Sequence, residues 1–354
     1  MSSLFHPLSI RGVEMRNRLW VSPMCQYSAV DGIPNGWHLV HLAQFASGGA
    51  GLVMAEATAI SPEGRITPGD VGIWNIEQAE AWADIVDALR SRGAVAGIQL
   101  SHAGRKASTK SPLTGGRGSV EAADGGWPTV APSAIAYEGF AEPVALSLDG
   151  IDEIVDDFVD ATRRAVAAGF QVIEIHAAHG YLLHQFLSPL SNRRSDEYGG
   201  SFENRVRLLV RVTEAVRAAA GPGIAVFVRF SASDAADGGW DVDDTVRAAR
   251  LAADAGADLV DVSSGGLVAH QHIVPSPGYQ VDDAERIRTE AHVLTSAVGM
   301  IDEPELAERL VAEGRADAIM SGREWLRDPH YALRAARVLG APVPTPAQYA
   351  RAFA

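Results

Sequence analysis

The stretch Ala168-Gly169-Phe170-Gln171-Val172-Ile173-Glu174-Ile175-His176 contains the rule by which this chain is built. A helical pattern over residues 151–168 ends in glycine, and an apolar run follows at once. Glycine past the end of a helix fits a C-cap from which the chain enters a sheet. The same phrase returns at Ala255-Gly256-Ala257 and Glu313-Gly314-Arg315, each time ahead of another apolar run. Working outward, short apolar runs alternate with helical patterns along the whole chain, which is the pattern of βα units around a parallel sheet. The spacing predicts eight strands, at 19–22, 51–56, 95–99, 172–176, 225–229, 259–263, 293–298 and 318–321. Helical segments are expected between them at 76–92, 151–168, 203–219, 245–255, 303–313 and 331–339. The phrases recur at irregular intervals, so the pattern is one barrel and not a solenoid. The expected fold is α/β, a single (β/α)8 TIM barrel over residues 1–354, and 354 residues suit such a barrel with insertions.

Three segments fall outside the repeat. Residues 5–18 are expected to close the bottom of the barrel. Residues 106–132, with Gly115-Gly116-Arg117-Gly118 and Gly125-Gly126-Trp127-Pro128, exceed an ordinary βα connection. They read as a loop over the active face or as a surface insertion. Residues 341–354 form a C-terminal extension.

Composition narrows the function. The net charge of −14 argues against a broad basic surface for nucleic acid or anionic lipid. The start, Met1-Ser2-Ser3-Leu4-Phe5-His6, lacks a basic and apolar leader, and no apolar run is long enough to span a membrane. A soluble, cytoplasmic protein with neither membrane nor nucleic-acid partner is expected. The single cysteine, Cys25, excludes an internal disulfide and a Cys-ligated iron–sulfur cluster within one chain. No GxGxxG follows any strand, so the usual mark of a Rossmann dinucleotide site is missing.

In such a barrel the chemistry lies at the C-terminal strand ends. The fourth strand runs into His176-Ala177-Ala178-His179-Gly180-Tyr181. Two imidazoles can point N–H groups at one substrate oxygen, and the Tyr181 hydroxyl can donate a proton. The same pair could be structural, or two ligands of a zinc ion. Strand one delivers Ser22, Pro23, Met24 and Cys25, with Tyr27 just beyond; strand two delivers Ala57, and strand three Gln99 and His102. Strand five delivers Arg229, strand six Ser263-Ser264-Gly265-Gly266, strand seven Gly299-Met300, and strand eight Ser321-Gly322-Arg323. Gly299 and Gly322 free backbone N–H groups for an anion and Arg323 can grip a phosphate, although a plain turn would look the same. Arg229 would meet a cofactor that becomes anionic when reduced, or pair with Glu56 or Glu174. Gln99 can donate and accept at once, as a pyrimidine-type edge requires. Cys25 could equally be a small core residue. Trp37, His38 and His41 read as packing on a helix face.

Together these residues resemble the Old Yellow Enzyme family of flavin-dependent ene-reductases, in the bacterial branch often called thermophilic-like. The resemblance runs from about residue 5 to 351. It is carried by Ser22-Pro23-Met24-Cys25-Gln26-Tyr27, Gly64-Arg65-Ile66-Thr67, Gln99-Leu100-Ser101-His102-Ala103-Gly104-Arg105-Lys106, His176 to Tyr181, Asp196-Glu197-Tyr198-Gly199-Gly200-Ser201, Glu203-Asn204-Arg205 and Gly322-Arg323-Glu324. It implies a TIM barrel holding FMN non-covalently, with NADPH or NADH as hydride donor and no metal. Ser22, Pro23, Met24, Cys25, Ala57, Gln99, Arg229, Gly299, Gly322 and Arg323 would contact FMN, and Cys25 would tune its potential. His176 and His179 would bind the carbonyl oxygen of an enone or enal, and Tyr27 would line that pocket. Hydride would pass from flavin N5 to the β-carbon and a proton from Tyr181 to the α-carbon. Homodimers or homotetramers are implied, with Arg351 reaching a neighbouring subunit's site. The chain departs from the family in its long loop after Lys106 and in its ending, Arg351-Ala352-Phe353-Ala354.

Other readings compete. A Schiff-base aldolase needs a strand-end lysine, and the only lysines are Lys106 and Lys110 in the long loop. A dienoyl-CoA reductase of this fold resembles proteins with a four-cysteine cluster. A tRNA dihydrouridine synthase is an FMN barrel with a basic face, which the −14 charge opposes. A zinc hydrolase and a flavin-binding protein without turnover remain as alternatives.

Overall fold

A computed structural model describes residues 2–352. Met1, Phe353 and Ala354, which the expected bounds 1–354 and 341–354 include, lie outside the described residues. All eight expected strands are present: β1 Leu19–Val21, β2 Leu52–Ala59, β3 Val95–Ser101, β4 Val172–Ala177, β5 Ala225–Ser231, β6 Leu259–Ser263, β7 Leu294–Ala297 and β8 Ala318–Ser321. They close into a parallel barrel in chain order, with β8 beside β1 and β5 beside β6. The chain is a (β/α)8 TIM barrel.

Ten helices connect the strands among the described residues: α1 Gly36–Ser47, α2 Ile76–Arg90, α3 Leu148–Ala167, α4 Leu182–Leu187, α5 Phe202–Ala220, α6 Val242–Asp254, α7 Val281–Ala291, α8 Pro304–Ala312, α9 Arg323–Arg327 and α10 Tyr331–Leu339. Helices α1, α2, α3, α5 and α6 each start at a capping side chain, Asn35, Asn75, Ser147, Ser201 and Asp241. In α2 the Asn75 side chain accepts from Gln78 N at 2.9 Å and the Gln78 side chain accepts from Asn75 N at 3.4 Å, a capping box that contributes about 1 kcal/mol. Helix α3 is C-capped by Ala168, and Gly169 then takes φ +94°, a conformation that turns the chain toward β4 without the penalty a Cβ would carry.

Strand alternation sorts the core into two parts. Ile173, Ile175, Val226, Val228, Val260 and Val262 face outward and pack against the helices. Val172, Phe227, Leu259, Trp20, Met54 and Met320 face inward at the N-terminal end. There Ile10, Val13 and Met15 of the hairpin formed by Leu8–Ile10 and Val13–Met15 pack onto them, so the N-terminal piece does close the bottom. Farther along the same inward faces the residues become Gln99, Glu174, His176, Arg229, Asp261 and Ser263, all buried. The interior therefore turns from apolar to polar toward the strand ends, where the site is built.

One sequence expectation changes. Trp37 was expected to pack on the helix face with His38 and His41; the histidines are buried, but Trp37 is 55% exposed. It lies beyond the buried face of α1 and donates its indole N–H to Gln26 Oε1 at 3.1 Å. Within the segment 106–132 the Trp127 ring lies 4.8 Å from the Arg65 guanidinium, and its indole N–H donates to Glu63 O at 2.9 Å.

Candidate active site

The C-terminal end of β4 brings His176, His179 and Tyr181 together. The His176 ring lies 5.2 Å from that of His179 and 5.0 Å from that of Tyr181, both edge-on. The loop that carries them is tightly held. His179 sits at φ +58°, and its backbone N–H donates to Ser231 Oγ at 3.0 Å. Gly180 sits at φ +75°, and a Cβ there would come within 2.2 Å of Gly266 O, so only glycine fits. The Gly180 N–H donates to His184 Nδ1 at 2.9 Å, and His184 Nε2 faces Asp234 Oδ1 at 2.8 Å.

Burial decides the charge of these groups. It pushes both His176 and His179 well below the ordinary imidazole range, with Arg229 next as a cause, so both rings are neutral. His176 Nδ1 accepts from Ala178 N at 3.3 Å, which leaves its N–H on Nε2. The Ser263 hydroxyl is 2.7 Å from His179 Nε2. Burial likewise pushes the Tyr181 phenol well above its usual value, so it keeps its proton. Neutral donors and a protonated phenol suit polarisation of a carbonyl followed by protonation. Among the described residues no group of three or more His, Cys, Asp or Glu side chains is gathered to hold a metal.

A cavity of about 290 Å³ opens beside this cluster, lined by Ser22, Pro23, Met24, Arg229, Gly299 and Arg323 among others. Gly322, Ser263 and Met300 also face it. Arg323 enters no ion pair among the described residues, whereas nearby Arg327 pairs with Asp302 at 2.8 Å. Ser22 Oγ and Glu174 Oε2 are buried without a hydrogen-bond partner in the chain. A free guanidinium, glycines at two strand ends and unpaired buried polar atoms fit a phosphorylated, hydrogen-bonding cofactor.

The remaining predicted residues divide. Gln99 is buried at the base of the site, and its Nε2 donates to Glu174 Oε1 at 2.7 Å. Ala57 pairs in register with Gln99 because β2 bulges between Ala55 and Ala57. That bulge leaves Glu56 free to accept from Gln26 N at 2.8 Å and to face His38 Nε2 at 3.5 Å. Cys25 is half-buried, and burial, then Asp70 and Glu56, push its thiol well above the usual value. Tyr27 is half-buried at φ +52°, its phenol also raised by burial. Arg351 lies in an exposed 3-10 turn, Ala347–Ala352.

Two residues escaped the sequence reading. Neither Glu56 nor Glu174 forms the ion pair with Arg229: its Nε lies 3.0 Å from Asp261 Oδ2. A buried acid alternating with Ser263 in β6 was the available signal. Lys106, assigned to the long loop, instead ends a 3-10 turn, Gly104–Lys106, directly after β3. Its Nζ donates to His179 O at 2.8 Å and Gly266 O at 2.9 Å, and lies 5.2 Å from the Tyr181 ring.

Comparison with known proteins supplies the context for this geometry. Residues 3–340 match the model of the NADH:flavin oxidoreductase / NADH oxidase family. The chain is 46% identical over 354 residues to an NADPH dehydrogenase of Bacillus subtilis (strain 168), covering 99% of each chain. Among solved structures, morphinone reductase in complex with tetrahydroNAD superposes with a TM-score of 0.78 at 29% identity, covering 97% of this chain and 92% of that one. An old yellow enzyme homologue from Zymomonas mobilis gives 0.76 at 30% identity, covering 97% and 94%. No helix among the described residues is long and apolar enough to cross a membrane.

Proposed function

Because the chain belongs to the Old Yellow Enzyme family and is an FMN-dependent NAD(P)H oxidoreductase, we propose that it reduces the activated C=C bond of α,β-unsaturated carbonyl compounds. The observation that carries this reading is the convergence of His179 and Tyr181 on His176, each ring about 5 Å from the His176 ring, beside the cavity. FMN, when bound, supplies the hydride chemistry.

The chain's own residues do the rest. Arg323, with the backbone at Gly299 and Gly322, holds the phosphate end, while Gln99 and Arg229 meet the pyrimidine end. Ser22, Pro23, Met24 and Ala57 line the ring. Cys25 contributes a protonated thiol that tunes the potential. The neutral His176 and His179 donate to the substrate carbonyl oxygen and draw electron density toward it. Tyr181 delivers its proton to the α-carbon, and Tyr27 shapes the pocket wall. NADPH or NADH and the enone use one pocket in turn. Residues 106–132 cover the active face, and Arg351 completes a neighbouring subunit's site in a homo-oligomer.

Anaerobic mixing of the FMN-loaded protein with NADPH and 2-cyclohexen-1-one is the test. Stoichiometric conversion to cyclohexanone is expected. NADPH oxidation only with oxygen as acceptor, without ketone product, would overturn the ene-reductase reading.

A further inference from the structure

Four polar side chains fill one layer of the barrel interior beneath the cavity. Register sets Gln99 opposite Glu174 and Asp261 opposite Arg229. Gln99 Nε2 donates to Glu174 Oε1 at 2.7 Å, Arg229 Nε lies 3.0 Å from Asp261 Oδ2, and Ser296 Oγ donates to Asp261 Oδ1 at 2.8 Å. Glu174 and Asp261 are wholly buried, and Glu174 Oε2 has no hydrogen-bond partner in the chain. Charge counting then gives an imbalance. Two buried carboxylates share a single guanidinium, and an uncompensated buried carboxylate takes up a proton in preference to staying charged. Asp261 has the charge contact with Arg229 at 3.0 Å, short in distance but without hydrogen-bond alignment, and its other oxygen accepts from Ser296, whereas Glu174 has no cation in contact among the described residues. The proton therefore belongs to Glu174.

We propose that Glu174 is a proton-bearing positioning residue of the flavin site: a neutral carboxyl that balances the Asp261–Arg229 pair and fixes the Gln99 amide. The inference rests on the reading that Gln99 and Arg229 meet the pyrimidine end of FMN. With its Nε2 engaged by Glu174, Gln99 keeps its carbonyl oxygen for the N–H of a pyrimidine-type edge. With Glu174 neutral, the Arg229 charge is left for the anionic reduced flavin. The groups facing Glu174 are Gln99 from β3, Arg229 from β5 and Asp261 from β6, with the neutral His176 two residues on along β4. Burial, and then the Asp261 carboxylate, push the Glu174 carboxyl well above the ordinary range, to about 8, against the pull of Arg229 and Gln99. Above that pH Glu174 starts ionised. Reduction to the anionic flavin takes two electrons and one proton onto the flavin, and a second proton from solvent then adds to Glu174 Oε2.

Two measurements on the FMN-loaded protein test this, with dithionite or an electrode as reductant. The first is the flavin midpoint potential against pH. In the wild type the slope should correspond to one proton per two electrons below the Glu174 pKa and steepen toward two above it, while Glu174→Gln should keep the shallow slope throughout. The second is the reduced-minus-oxidised infrared spectrum on the alkaline side. It should show a protonated-carboxyl C=O band that shifts in D2O and disappears in Glu174→Gln. Equal slopes in the two proteins, or a carboxyl band that persists in the variant, would overturn the assignment. Should Glu174→Gln fail to load FMN, Asp261→Asn provides the second arm. It leaves Arg229 to Glu174 alone, so the break in slope must move to lower pH, and an unmoved break rejects the proposal. None of these readouts uses an enone, so failure of the ene-reductase reading would leave this result standing on its own.

Discussion

The Lys106 ammonium donates to the backbone carbonyl of His179 at 2.8 Å, so the turn after β3 holds the loop after β4 in place. The same ammonium donates to Gly266 O after β6, so three strand ends meet at one cation. That anchor sustains the left-handed conformation of His179, which a non-glycine residue adopts at a cost.

Lys106→Met should therefore loosen the loop and not the flavin site. Charge-assisted hydrogen bonds contribute roughly 1.5–3 kcal/mol, which corresponds to a fall in enone turnover of about ten- to a hundredfold. FMN affinity should not change. Turnover equal to wild type would show that the loop holds its shape without the lysine.

Tyr181→Phe removes the proton donor while leaving the ring in place. The enone half-reaction should fall by about 10²–10⁴-fold, and reduction of the bound flavin by NADPH in the stopped flow should stay intact. His176→Ala or His179→Ala should cost about 10²-fold in the same half-reaction. The Tyr181 phenol is raised and both imidazoles are lowered by burial, so none of the three titrates near neutrality. The wild-type enone half-reaction should accordingly stay flat between about pH 6.5 and 9 as far as these groups are concerned, since that range lies above the unperturbed imidazole pKa and below that of tyrosine. An inflection there that vanishes in His179→Ala would contradict the assigned neutral form.

Stability should fall as pH rises through the range set by Glu56. Burial raises its carboxyl to about 8, against 4.5 for the unfolded chain. Below the lower value both states hold the proton, and the contribution of Glu56 to folding is complete. Between the two only the folded state holds it, so unfolding gains roughly 1.4 kcal/mol per pH unit until the upper value is passed. Melting temperatures of wild type and Glu56→Gln across this range should converge toward acid and separate toward alkali, with the variant flatter. Parallel curves would remove Glu56 from the account.

Cys25 should act on the flavin and not as a nucleophile, because burial, then Asp70 and Glu56, keep its thiol protonated. Cys25→Ala should shift the flavin midpoint potential and leave substantial turnover. Complete inactivation with an unshifted potential would assign the thiol a different part.

Arg351 lies exposed in the C-terminal turn Ala347–Ala352. Mixing Arg351→Ala chains with His176→Ala/His179→Ala chains tests its proposed action in trans. Activity of the re-formed hetero-oligomer should depart from the mean of the two parents. Equality with that mean, once exchange is confirmed by mass, or a monomer in solution, would show that Arg351 serves no neighbouring site.

Much of this molecule was legible in the sequence because its signals are local. The helix–glycine–strand phrase at Gly169 and the alternation along Val172-Ile173-Glu174-Ile175-His176 act over a few residues, and they marked all eight strands and the strand ends where the chemistry gathers. The short helices α4 and α9 escaped because five or six residues carry too little periodicity to stand out, and the eleven-residue α7 was not marked either. What only the tertiary structure decided are pairings between residues far apart in the chain. The partner of Arg229 is Asp261 because barrel register sets them side by side; alternation with Ser263 places Asp261 on the inward face, but it does not say which cation Asp261 meets. Glu56 leaves the inward row because β2 bulges at that residue, a shift of one position that periodicity cannot foresee. Lys106 reaches the Tyr181 ring because closure of the barrel brings the turn after β3 against the loops after β4 and β6. Local sequence determines which residues stand at the strand ends, whereas the register and curvature of the closed sheet determine which of them touch.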